Sequence, residues 1–263
     1  MRIAIGIEYD GSSYSGWQKQ KSGNTIQDHV EKALTKVANS LVMIVCAGRT
    51  DAGVHALEQI AHFDVNVIRD LRAWVMGANT YLPRDIRILW AKHVAENFHA
   101  RYCAIARYYR YVIRNRPYRS AFLHTQETWY YRPLDVDIMQ SGANFLVGKH
   151  DFSSFRARHC QSKSPVRMMY LIDVNREGEN IHIDLVANAF LHHMVRNITA
   201  VLIKIGSRQK PPEWALQILL AKDRQAGDVT ALPFGLYLVG IYYPKQFEMQ
   251  NHPMFARLPN LGS

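Results

Sequence analysis

The pattern that most constrains this chain is a strand-length apolar run that keeps returning, separated by stripes of helical period. Residues Arg2 to Tyr9 alternate apolar and polar, with Ile3, Ile5 and Ile7 on one face. Further runs of strand type lie at Leu41 to Cys46, Leu57 to Val67, Ile86 to Val94 and Ala104 to Ile113, then at 166–175, 181–190 and Leu236 to Tyr243. Ile26, Val30, Ala33, Leu34 and Val37 recur at helical spacing behind Thr25, an N-cap with Asp28 three residues on. Leu71 to Tyr81 reads as a helix with Leu71, Val75 and Ala78 inward, stopped by Pro83. Asp135 or Asp137 caps a third helix, Ile138 to Val147, ended by Gly148. A polar, basic loop at 151–164, an apolar helix from His193 to Ile205 and a last helix through Ala221 complete the pattern. Near 98–120 the strand and helix order starts again. The predicted class is therefore α/β (α+β): two similar lobes, 1–105 and 106–245, whose mainly antiparallel strands join into one continuous central sheet. Helices pack on one side, a cleft lies between the lobes, and 246–263 is an irregular tail. No repeat is visible in the residues themselves.

Directly behind the run 41–46 stands Gly48-Arg49-Thr50-Asp51-Ala52-Gly53-Val54-His55. A strand that ends in a loop flanked by glycines holds a carboxylate beside a guanidinium where the backbone bends or is closely approached, which is how a nucleophilic or basic Asp is presented. A Thr-Asp turn with Arg49 in a surface ion pair would use the same residues. Spacing does not separate the two readings.

The chain has 263 residues and a formal net charge of +10, which points to a polyanionic partner whose phosphates Lys and Arg would neutralise. The basic loop Arg114-Asn115-Arg116-Pro117-Tyr118-Arg119 interleaves aromatic and cationic residues in the manner of nucleic-acid binders. Arg107, Arg110, Arg114, Arg156, Arg158 and Lys163 are the candidate nucleic-acid contacts, with Arg84, Arg87 and Arg167 as further basic positions. In the strand 104–113, Arg107, Tyr109 and Tyr111 share one face; Tyr108, Arg110 and Val112 share the other, taken as solvated or phosphate-facing. Tyr14, Trp17 and Gln18 follow the Asp10-Gly11 turn as residues able to stack on or hydrogen-bond a base.

Cys46, Cys103 and Cys160 are odd in number and widely spaced, so reduced thiols are expected rather than a disulfide framework or zinc site. His55, His99, His192 and His193 lack the spacing of metal ligands on one face, and no metal is expected. Neither a phosphate-cradling G-x-x-x-x-G-K-[ST] loop nor a G-x-G-x-x-G fingerprint occurs, so no cofactor is expected. Without a run of about 18 apolar residues, and with a strand-like start, the chain reads as soluble and cytoplasmic, with no membrane partner.

The motif GRTDAGVHA resembles the signature of the TruA family of tRNA pseudouridine synthases. Supporting stretches run in order along the chain: Tyr9-Asp10-Gly11 with Tyr14 and Gly16-Trp17-Gln18, Phe98-His99-Ala100-Arg101, Ala106 to Tyr111, Asp151-Phe152-Ser153-Ser154-Phe155, Asn188-Ala189-Phe190, His193-Met194-Val195-Arg196-Asn197 and Gly235-Leu236-Tyr237-Leu238. The resemblance implies that Asp51 is the catalytic residue, that Tyr109 is the active-site tyrosine and that Arg196 lies against the Asp. It further implies a cofactor-free isomerase acting at positions 38 to 40 in the anticodon arm of tRNA as a homodimer. Two departures stand out: Leu232-Pro233-Phe234-Gly235 replaces small residues, and Tyr108 stands where a second basic residue is common.

The implied reaction breaks the uridine N1 to C1′ bond and rejoins the base through C5, for which one ionised carboxylate suffices as nucleophile, at C1′ or at C6. Nearby Arg49 and Arg196 favour the ionised form. Tyrosine at its usual pKa of ~10 is a poor base, so stacking is the expected role of Tyr109. The competing readings are a synthase with another RNA target, a catalytically silent RNA-binding or tRNA-folding module, and a hydrolase with paired carboxylates, which lacks a second acid beside Asp51.

Overall fold

Ile3, Ile5 and Ile7 are fully buried on one face of the first strand, β1 (Arg2–Tyr9), as the alternation predicts. Helix α1 (Ile26–Ala38) starts where Thr25 Oγ1 accepts the Asp28 N–H at 3.3 Å and donates to Asp28 Oδ2 at 2.6 Å, a variant of the reciprocal cap. Its buried stripe ends on Ala38, while Val37 is only half-buried. The computed structural model describes residues 1–21, 23–158, 160–258 and 261; position 159 of the basic loop and 259, 260, 262 and 263 of the tail lie outside the described residues. Packing divides the chain into two units, Met1–Ile105 with Tyr237–Ser263, and Ala106–Leu236.

The expected strand 41–46 shrinks to β2 (Val45–Cys46). Val42 and Ile44 point inward and Leu41 and Met43 outward, yet their backbone is not laddered. Instead Thr35 Oγ1 accepts the Val42 N–H and Glu31 Oε1 the Ile44 N–H, both at 3.1 Å. Side chains of α1 thus satisfy donors that would otherwise need a neighbouring strand. β2 pairs antiparallel with β3 (His55–Asp64), which also pairs antiparallel with β1. One π-helical turn, Ala73–Gly77, leads into the short α2 (Ala78–Tyr81). The wider turn brings Trp74 inward together with Ala78, in place of Leu71 and Val75, and Trp74 meets Phe63 edge-on at 5.2 Å. β4 (Ile86–Val94), with the bounds expected, flanks β1 on its other side.

His62 on β3 is buried, and its Nδ1 accepts the Ala100 N–H at 3.2 Å. Burial first, then Arg2 and His99, lower its pKa to about 4. Its folded value lies below the unfolded ~6.5, so the unfolded chain takes up a proton that the folded chain refuses. The contribution to stability is full above pH 6.5 and is lost as pH falls toward 4, by up to about 3 kcal/mol. Urea midpoints measured across this window should fall with acid in the wild type, and His62→Gln should flatten that slope.

In the second unit, β5 (Ala106–Asn115) pairs with β6 (Thr128–Tyr130) in parallel. Helix α3 (Val136–Asn144) is capped by Asp135, whose side chain accepts the Ile138 N–H, and stops at Phe145 rather than at Gly148. Gly148 instead opens a short strand, β7 (Gly148–Asp151), which pairs antiparallel with β8 (Val166–Glu177). β9 (Asn180–Ala187) completes the order β5-β9-β8-β7, all antiparallel, with Ile181, Ile183, Leu185 and Ala187 fully buried as the alternation predicts. Helices α4 (Met194–Gly206) and α5 (Trp214–Ala221) follow.

Arg110 on β5 faces Asp184 on β9 and grips it at 2.7 and 2.8 Å, while the Tyr108 hydroxyl donates to the same carboxylate at 2.8 Å. The face expected to be solvated therefore carries a closed polar cluster, with Asp184 and Tyr108 both buried. Asp184→Asn should lower the urea unfolding free energy by about 2 kcal/mol, below the ~3–5 kcal/mol of a fully buried broken pair because water still reaches Arg110.

The last strand, β10 (Leu236–Tyr242), returns to the first unit and runs parallel to β3, with Tyr237 opposite His55. The sequence carried the second lobe to 245; by packing, the second unit closes at Leu236. Among its described residues the tail is irregular apart from two 3-10 turns, Lys245–Phe247 and Pro253–Arg257, yet it buries Phe247, Met249, Met254 and Phe255. Phe247 meets Phe98 at 5.2 Å, and Phe255 meets Tyr242 at 5.4 Å. Among the described residues no helix is long and apolar enough to cross a membrane.

Candidate active site

The loop from Ala47 to Val54 joins β2 to β3 and is anchored by residues of the first unit. Ala47 N–H donates to Ile60 O at 2.8 Å, and the buried Gln59 donates to Gly48 O at 2.5 Å. Thr50 is buried: its hydroxyl shares a hydrogen bond with Tyr9 at 2.8 Å, and its carbonyl accepts the Trp17 N–H at 3.0 Å. The Asp51 carbonyl accepts the Val54 N–H at 3.1 Å, closing the turn. Gly16, at φ +86°, lies beneath this turn; a Cβ there would come within 2.7 Å of Thr50 O and 3.0 Å of Asp51 C. Fixed from four sides, the loop leaves Asp51 half-buried and Arg49 exposed.

This placement changes the role of the first motif. Trp17, Tyr14 and Tyr9 are buried, at 1%, 7% and 2% exposure, so they form the floor of the loop rather than a stacking surface. The Tyr14 hydroxyl donates to Asp85 Oδ1 at 2.6 Å, and the Asp85 carbonyl accepts the Asp10 N–H at 2.9 Å. Buried His55, the motif's histidine, accepts the Gly11 N–H at 3.2 Å and lies flat against Tyr237 at 4.7 Å. Tyr9, Gly16, Trp17 and Gln59 are supports of Asp51 that the sequence reading did not assign. Tyr9, Gly16 and Trp17 lie in the stretches that support the family resemblance, whereas Gln59 lies in none of them. Burial pushes the Cys46 thiol up to about 12 despite the pull of Arg49, so it stays protonated.

Tyr109, Arg196, Arg107, Arg110, Arg114, Arg156, Arg158 and Lys163 belong to the second unit. Tyr109 is buried on β5 with its ring edge-on to Phe190 at 5.0 Å. Two residues on, the Tyr111 hydroxyl lies 2.6 Å from Thr128 Oγ1 and donates to Leu232 O at 2.8 Å. Burial raises the Tyr111 phenol well above its usual range, and the Arg196 charge opposes this shift. Arg196 sits in the first turn of α4, entered through His193 at φ +64°, and its Nε donates to Ala231 O at 2.7 Å. Asn197 holds the same loop: its Oδ1 accepts from Thr230 Oγ1 at 2.7 Å and Arg224 Nη2 at 3.1 Å, and its Nδ2 donates to Phe155 O at 2.7 Å.

The departure at 232–235 is built into this wall. Gly235, at φ +84°, would place a Cβ 2.4 Å from Val112 O, and Thr128 donates to Phe234 O. Of the basic candidates, Arg107 donates to Asn188 O at 2.7 Å, Arg110 holds Asp184, and Arg114 is forked onto Glu127 at 2.7 and 2.8 Å with Glu179 at 3.2 Å. Arg156 is half-buried, and Arg158 and Lys163 are exposed.

Residues 5–103 and 143–244 match the family described as tRNA pseudouridine synthase. A protein of Methylococcus capsulatus named tRNA pseudouridine synthase A is 55% identical over 259 residues, covering 98% of this chain and 96% of that protein. Proteins of the same name from Coxiella burnetii and Legionella pneumophila are 55% and 53% identical over 253 and 254 residues, each covering 96% of this chain and 97% of the relative.

Proposed function

Since the chain belongs to the tRNA pseudouridine synthase family, and so acts as an isomerase on tRNA, we propose that it converts uridines at positions 38 to 40 in the anticodon arm, with Asp51 as nucleophile. The observation that carries this reading is 55% identity over nearly the full length to a protein named tRNA pseudouridine synthase A, joined to a motif loop whose backbone is fixed around Asp51. A carboxylate attacks well only when ionised and held in geometry, and a loop anchored at Ala47, Gly48, Thr50 and Asp51 meets the second condition.

The target uridine leaves its stack, at a cost of about a few kcal/mol that contacts elsewhere offset. Asp51 bonds to C1′ of the ribose or C6 of the uracil as the N1 to C1′ bond breaks. The base turns and C5 bonds to C1′, the covalent bond to Asp51 breaks and returns the free carboxylate, and C5 loses its proton while N1 gains one, so nothing is oxidised and no water is consumed. Tyr109 is assigned to stack on the displaced base, and Arg49 and Arg196 to favour the ionised carboxylate. Arg156, Arg158 and Lys163 are assigned to phosphates, with Arg107, Arg110 and Arg114 acting on RNA through whatever donors their internal bonds leave. The enzyme works without a cofactor, as a homodimer, in the cytoplasm.

The test is release of tritium from tRNA labelled at uridine C5. Wild-type protein should release one tritium per pseudouridine formed, and tRNA from cells lacking the protein should lose pseudouridine at 38 to 40. Tight binding without release would favour the silent RNA-binding module; free uracil would indicate hydrolysis. Gly16→Ala pushes a methyl group into the Thr50 and Asp51 backbone and should lower tritium release by about 10²-fold, with the Kd for tRNA within about threefold of wild type.

A further inference from the structure

Between β5 and β6 the chain runs through residues 116–127, a connection long enough to expect a role of its own, whose tip Phe122 is 89% exposed. At its base four planar groups follow one another. The Arg119 guanidinium lies 4.8 Å from the Trp129 ring centre, Trp129 is 5.9 Å from Tyr131 at a tilt of 32°, and Arg132 lies 5.3 Å from Tyr131. The indole is held in place because its N–H donates to Arg116 O at 2.9 Å, and Tyr131 is half exposed. Among the described residues neither Arg119 nor Arg132 pairs with a carboxylate, in contrast to Arg110, Arg114 and Arg116 in the same unit.

We propose that this ladder is a second RNA-binding surface, taking unpaired nucleotides of the substrate other than the reacting uridine. Every base has a π-face, so aromatic rings at a fixed tilt give stacking without sequence preference, and guanidinium groups without an acidic partner are left for the phosphates that accompany those bases. A peptide partner would gain nothing from two unneutralised cations flanking the rings unless it were strongly acidic, whereas RNA carries a phosphate at every step. The proposal rests on tRNA being the substrate. It extends that reading to residues no motif of the catalytic loop includes.

The experiment compares wild type with Tyr131→Ala, Tyr131→Phe and Arg119→Glu, chosen because both side chains are exposed. Tyr131→Ala should raise the Kd and the KM for tRNA by ~10-fold with kcat unchanged, and Tyr131→Phe should restore both. Arg119→Glu should weaken binding and lower the slope of log Kd against log salt by about one. A short unstructured oligoribonucleotide should quench tryptophan fluorescence in the wild type and less in a Trp129→Phe variant. Unchanged KM and Kd in both Tyr131→Ala and Arg119→Glu would overturn the proposal, as would variants that dissociate in sedimentation, which would make the surface a contact between two copies of the chain. Wild-type protein that binds through these residues but releases no tritium would sink the catalytic reading alone. Tritium release with unmoved KM would sink this one alone.

Discussion

Asp51→Asn is expected to abolish tritium release from uridine-labelled tRNA, by about 10⁴-fold or more, while tRNA binding stays within about threefold of wild type. The amide has the size and planarity of the carboxylate, so it leaves the anchored loop undisturbed. The Tyr9 to Thr50 bond, the Trp17 to Thr50 bond and the Val54 to Asp51 turn all involve atoms other than the Asp51 carboxylate. What disappears is the negative oxygen that forms the covalent bond. Loss of the chemical step with binding retained identifies the nucleophile. A residual rate within about tenfold of wild type would remove Asp51 from that role, and equal losses of binding and rate would assign it to recognition instead.

Phe255→Ala should lower the unfolding free energy by about 4 kcal/mol in urea titrations, the usual cost of emptying a buried phenylalanine site. Phe255 is 3% exposed, packs on Tyr242 of β10 and comes within 3.6 Å of a Cβ placed on Gly240. Ile68→Ala, at a position 85% exposed, is the control and should change stability by no more than about 0.5 kcal/mol. A Phe255→Ala effect as small as the control would mean that the tail is not part of the core of the first unit.

Much of this chain was readable from neighbours in the sequence. Period-two alternation located β1 and β9, a strand-length apolar run located β4, and the Thr25 and Asp135 caps located the starts of two helices, because each signal lies within a few residues of the element it marks. The glycine-flanked Arg49-Thr50-Asp51 segment was legible for the same reason, and its resemblance to a family motif supplied its chemistry. The short strands β6 and β7 were missed because three or four residues carry too little periodicity.

Local pattern, then, was enough to mark the elements and to single out Asp51, since spacing and cap chemistry are properties of adjacent residues. Long-range packing decided the rest. Tyr9 reaches Thr50 across 41 positions, Arg110 spends its charge on Asp184 74 positions away, and Lys92 meets the tail at Glu248 156 positions on. Whether an arginine faces RNA or a buried carboxylate, whether 41–46 is laddered or held by a helix, and whether an irregular tail is core or surface depend on what the fold brings alongside, and that partner is written elsewhere in the chain.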